Sequence, residues 1–174
     1  SDHCEPRERL RSRPGNRVRG RILIPAELEK YLHEHIPLSK AMETTVISAD
    51  DEAVALAAPL EPNLNHRGTA FGGSVATLAI LSGWTHVHFK LRRAGLKTHT
   101  VIHESSVHYD KPIQDRLVAR CGDIPLEEWE RFTRTLKRKG KARIHVQATV
   151  HSAGQVACSF RGSYVATLRE LSTN

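Results

Sequence analysis

The sequence predicts an α+β fold in which a curved antiparallel sheet of about six strands wraps one long buried helix. Three observations carry that expectation. Ser74 to about Arg93 is apolar on most sides of a helix, through Val75, Leu78, Ala79, Ile80, Leu81, Trp84, Val87, Phe89 and Leu91. A helix that is apolar nearly all round is a buried helix. Several other segments carry strand signals, and the last two are joined by a tight turn. No second long apolar helix is available, and one helix cannot cover both faces of a flat sheet, so the sheet has to curve round it.

The elements follow in order. Residues 1–25 hold Gly15, Gly20 and seven arginines against Asp2, Glu5 and Glu8, and read as a flexible basic arm of net charge +4; residues 26–174 read as a single domain. Pro25 opens a short amphipathic helix with Leu28, Leu32 and Ile36 at a spacing of four, stopped at Pro37. Met42–Ala49 and Glu52–Leu60 read as strands joined at Asp50–Asp51, with Val54, Leu56 and Ala58 on one face. A turn-rich loop leads to the long helix, which at about 1.5 Å per residue runs roughly 30 Å and stops near Arg92, Arg93 and Gly95. Strand signals then cover Thr98–Tyr109, Arg116–Cys121, Arg143–His151 and Gln155–Leu168, with a surface helix over Leu126–Lys139 and a hairpin turn at Ser152–Gly154. Ile144, Val146, Ala148 and Val150 alternate with polar residues, which leaves that strand one wet face. The sheet's edges and open ends call for a partner subunit, so a homodimer is expected, or a tetramer of two such dimers.

Composition narrows the function classes. The chain has 174 residues, 39% hydrophobic and 26% charged, with a net charge of +7 and a pI near 9.7. Nothing approaches 18 consecutive apolar residues, so no transmembrane helix is expected. The chain opens on Ser1, which reads as a processed end, with no signal-peptide pattern. Cys4, Cys121 and Cys158 are odd in number and widely spaced, which fits a reducing cytoplasm rather than a disulfide framework or a zinc knuckle. A second basic concentration comprises Arg131, Arg134, Lys137, Arg138, Lys139, Lys141 and Arg143, with no acid between residues 131 and 143. Basic clusters predict an acidic partner; an aromatic content of 5% and the lack of a reading module disfavour nucleic acid.

The densest chemistry is the loop Asn63-Leu64-Asn65-His66-Arg67-Gly68-Thr69-Ala70-Phe71-Gly72-Gly73-Ser74. Three glycines in six residues permit close backbone approach, and the loop ends at a helix start whose free N–H groups favour negative charge. That fits an oxyanion hole or a phosphate cradle; the plainer alternative is a tight helix entry capped by Ser74. Competing motifs fail: there is no Walker loop, Val75-Ala76 replaces the glycine of a nucleophile elbow, and His86 and His88 are two apart and make a poor metal pair. His103, following Val101 and Ile102 on a strand, reads as a packed histidine rather than a base. No metal and no cofactor is expected.

Over about 140 residues, from Leu28 to Leu168, the chain resembles the hotdog-fold thioesterase-like domain that occurs alone or fused behind an acetyltransferase domain. The resemblance rests on Ile36-Pro37-Leu38-Ser39, Ala58-Pro59-Leu60, Pro62-Asn63-Leu64-Asn65-His66 and Gly68-Thr69-Ala70-Phe71-Gly72-Gly73-Ser74, then Gly83-Trp84, Tyr109-Asp110-Lys111-Pro112 and Gly140-Lys141-Ala142-Arg143. It implies a hotdog dimer with its active site at the subunit interface. It also implies thioester substrates on acyl carrier protein or coenzyme A, and decarboxylation of malonyl-acyl-carrier protein to start fatty acid synthesis, with Asn65 matching the asparagine of the catalytic loop.

The residues bear on which reaction it is. Between Glu61 and Glu104 the sequence has no Asp or Glu. A hydrolase without its general base forfeits a factor of about 10²–10⁴, unless His66 serves instead. Decarboxylation needs no base. It needs donors at the thioester oxygen, which Asn65 and the backbone at Gly73 and Ser74 could supply, with Thr69 or Ser74 orienting Asn65 or returning the proton. Arg67, Gly68, Phe71 and Gly72 are assigned to substrate binding, with Arg134, Lys137 and Arg138 docking the carrier or the coenzyme phosphates. The alternatives are an acyl-thioester hydrolase and a non-catalytic acyl-binding module.

Overall fold

The computed structural model describes residues 24–169, so the arm over residues 1–25 lies, apart from Ile24 and Pro25, outside the described residues. Two short helices, α1 (Pro25–His35) and α2 (Pro37–Ala41), precede strands β1 (Thr45–Ala49) and β2 (Val54–Ala58). The long helix α3 (Gly72–Arg93) is followed by β3 (Thr98–Tyr109), β4 (Leu117–Cys121), α4 (Leu126–Lys139), β5 (Lys141–Ser152) and β6 (Gln155–Leu168). Pro37 does end the first helix, but it also starts the second, because its fixed φ suits a first helical position. The first strand consequently begins at Thr45, not Met42.

The six strands form one antiparallel sheet in the order β1-β2-β4-β5-β6-β3. Helix α3 packs on β2, β4, β5, β6 and β3, as expected of a helix wrapped by its sheet. The alternation in β5 is realised: Ala142, Ile144, Val146, Ala148 and Val150 are buried, while Arg143, His145 and Gln147 are exposed. Strand β2 differs, with all five residues buried, so both of its faces are covered. The tightest helix–sheet approach is at Gly83. A Cβ there would lie 2.6 Å from the Tyr164 hydroxyl, which donates to the Ile80 carbonyl at 2.7 Å.

The two sheet edges are unlike. β1 is short, carries a bulge between Val46 and Ser48, and has the Val46 N–H donating to the Glu29 carboxylate at 2.9 Å. β3 is 12 residues long, pairs with β6 alone, and exposes Val101, Ile102 and Tyr109. A second bulge, between Ile102 and Glu104, turns His103 out of the ladder. His103 is therefore exposed, and its Nε2 accepts from the Arg143 guanidinium at 3.2 Å instead of packing in the core. No described helix is long and apolar enough to cross a membrane.

Candidate active site

The loop before α3 is closed by its own backbone and by two asparagines. Asn63 is buried, and its amide donates to the carbonyls of Met42 (3.0 Å) and Pro59 (2.8 Å), which ties the loop to the end of β2. Leu64 bridges Ala70, the Asn65 N–H donates to the Thr69 carbonyl, and the Phe71 N–H donates to the Asn63 carbonyl. Asn65 is the hub. Its Oδ1 accepts from the N–H groups of Arg67 (2.8 Å) and Thr69 (3.2 Å), and its Nδ2 donates to Thr69 Oγ1 (2.8 Å) and, more weakly, to the Ala70 carbonyl (3.4 Å). Such a turn is what an asparagine side chain favours, and Gly68 completes it with φ at +74°.

Phe71 occupies the N-cap position of α3, and no side chain caps the helix. The expected Ser74 cap is not made, because the helix starts two residues earlier and Ser74 falls in its first turn. The first intrahelical bond runs from the Val75 N–H to the Phe71 carbonyl, so the N–H groups of Gly72, Gly73 and Ser74 precede the ladder and remain open to a ligand. No acidic side chain occupies that turn. The exposed Phe71 ring lies against Gly73 so closely that a Cβ would run into it, which accounts for a glycine there.

Beside this turn is a cavity of about 490 Å³ whose lining includes Arg67, Thr69, Gly72, Val75, Asp110 and Cys158. It brings together Arg67, Thr69 and Gly72 of the expected site, with Ala70, Ile113 and Ala157 among its apolar wall. Asn65, Phe71, Gly73 and Ser74 lie outside the lining, Gly73 and Ser74 following Gly72 in the first turn of α3. His66 and Gly68 sit exposed at the loop tip and outside the lining. Arg134, Lys137 and Arg138 are not brought to the loop of the same protomer. They ride on α4, which packs where Lys90 lies over the Trp129 ring, 18 residues beyond Gly72 and so about 27 Å along α3.

Asp110 is a further residue of the site, beyond those expected from the sequence. It lies beyond the acid-free stretch between Glu61 and Glu104, but β3 runs back along α3 and ends where the helix begins. The Tyr109 hydroxyl donates to the Gly72 carbonyl at 2.9 Å, and the next residue, Asp110, lines the cavity. Asp110 lies 3.1 Å from His108 Nε2. The signal for it in the sequence is Tyr109-Asp110-Lys111-Pro112, one of the motifs of the resemblance, with Asp110 36 residues from Ser74 and joined to the loop only by the fold. Cys158, also in the lining, is no nucleophile: burial and the neighbouring Asp110 push its thiol up to about 11. Among the described residues no cluster of His, Cys, Asp and Glu could hold a metal.

Comparisons agree with this architecture. A family described as "Putative thioesterase (yiiD_Cterm)" matches residues 25–168. A protein of unknown function from Chlorobaculum tepidum is 30% identical with a TM-score of 0.80, covering 85% of this chain and 99% of its own. A thioesterase-described protein from Shewanella oneidensis is 25% identical with a TM-score of 0.72, over 82% of this chain and 96% of its own. A Pseudomonas aeruginosa protein at 20% identity, TM-score 0.72, covers 86% of this chain and shares the fold. With the six-stranded sheet around α3 and the family match over nearly all described residues, the chain belongs to this hotdog-fold thioesterase family.

Proposed function

We propose that this protein decarboxylates a malonyl thioester, carried on acyl carrier protein or coenzyme A, to the acetyl thioester, acting as a homodimer with the loop near the second subunit. The observation that carries the reading is the acid-free first turn of α3 opening beside the cavity. Loss of CO₂ breaks the bond between the carboxylate carbon and the α-carbon, and the electron pair passes into an enolate whose oxygen is the thioester oxygen. The open N–H groups of Gly72, Gly73 and Ser74 supply donors where that charge develops. Val75, Ile113 and Ala157 give the departing carboxylate a poorly hydrated wall, and a proton returned to the α-carbon completes the acetyl group. Asn65 acts through its long 3.4 Å leg to Ala70, the hydrogen that a thioester oxygen can take over most cheaply. The exposed edge of β3, ending at the cavity in Tyr109 and Asp110, supports the dimer.

A second reading is favoured by Asp110. A carboxylate in the cavity can take a proton from water attacking the thioester, which makes the protein a hydrolase. Incubation with malonyl-CoA and with malonyl-carrier protein, followed by mass measurement of the products, separates the two. Loss of CO₂ with the thioester intact is the expected result; release of free thiol transfers the site to hydrolysis, and recovery of unchanged substrate removes both.

A further inference from the structure

At the opposite end of α3 lies a cavity of about 290 Å³, at the lower end of the size range of small-ligand sites. Tyr31, His35, His88, Arg92, Lys97 and Arg169 line it, and no described lining residue is acidic. Arg92, Lys97 and Arg169 make no ion pair among the described residues, so three cations face one small space with no counter-charge from any described residue. The helix C-terminus accounts for one cation in its last turn, Arg92, but not for Lys97 and Arg169, which come from outside the helix.

The wall is aromatic. Tyr31 stacks on His35 (4.0 Å, 14°) and on His88 (4.9 Å, 26°), and His88 stacks on Trp84 (4.6 Å, 13°). His88 is more than nine-tenths buried and makes no hydrogen bond among the described residues, yet it faces the cavity. Cations that converge without partners attract an oxyanion, guanidinium groups suit phosphate, and parallel rings suit a planar base. We infer that the cavity between α1 and the end of α3 binds a phosphate ester of a planar ring, the chemistry of a mononucleotide. His88 lies 16 residues beyond Gly72, about 24 Å along the helix, so within one protomer this is a separate site from the loop.

Calorimetry of the full chain with AMP, inorganic phosphate and coenzyme A tests this directly, independently of any turnover. Expected are one AMP per protomer, a change in Trp84 fluorescence on binding, and phosphate at least about tenfold weaker. Arg92→Gln and Lys97→Gln, both at exposed positions, should each weaken AMP about tenfold while leaving the melting temperature unchanged. No saturable AMP binding, phosphate binding as tight as AMP, or indifference to both substitutions overturns the site. The source of the nucleotide is read from competition. Displacement of AMP by coenzyme A assigns the site to the nucleotide end of the coenzyme, and AMP binding that coenzyme A does not disturb assigns it to a free nucleotide.

Discussion

Asn65 holds the loop and, in the proposed reaction, donates to substrate with a single amide, and the two contributions can be separated. Its Oδ1 holds the turn through Arg67 and Thr69, while only Nδ2 can donate toward substrate. Asn65→Asp keeps the acceptor, and the Thr69 hydroxyl can rotate to donate to the new carboxylate. The expected outcome is a loss of about 10²–10³ in kcat with little change in melting temperature, whereas Asn65→Ala should lose both activity and loop stability. Normal kcat in Asn65→Asp would remove the residue from the chemistry. Asp110→Asn is the complementary measurement: decarboxylation should persist nearly unchanged, and a hydrolase should lose about 10²–10⁴. The sequence singles out the loop around Asn65 by its glycines and by the family resemblance, and the structure makes Asn65 the hub of that loop's hydrogen bonds. That scaffolding role was less legible, although an asparagine four residues before a threonine in a glycine-rich turn is where such bonds form.

Among the elements, β3 has the most to lose from a changed surface. Val101 is 63% exposed and Ile102 36% exposed, on a strand with one unpaired edge. Val101→Lys with Ile102→Lys should shift sedimentation at micromolar concentration from a dimer toward a single 19.5 kDa species, with activity falling in parallel. A wild-type protein that is already monomeric and fully active would refute the assembly. The sequence made β3, α4 and β6 legible to the residue, because long periodic segments bounded by turns leave little freedom. It missed α2, five residues whose helical form depends on Pro37 fixing one dihedral. It also missed the burial of both faces of β2, since alanines at 53, 55 and 57 carry too little side chain to announce a covered face.

For the molecule as a whole, the buried histidines set the response to acid. Burial, aided by Arg92, Arg169 and His35, holds His88 down to about 4, and burial also lowers His86. An unfolded chain binds these protons near pH 6.5 and the folded one does not, so stability is full above about 6.5 and falls as pH drops toward 4. His88 alone should cost about 3 kcal/mol across that window, read as a falling urea midpoint at constant m-value; a midpoint flat from pH 7 to 4.5 would contradict it. The unequal sheet edges have a consequence for how the chain behaves when crowded. With Glu29 occupying a backbone donor of β1 and a bulge bending that strand away, only β3 offers a template for further pairing. Antiparallel pairing of two such edges about a two-fold axis uses up both. In the proposed dimer, addition therefore terminates after one step, and the pairing of the two ladders is a stop against filament growth.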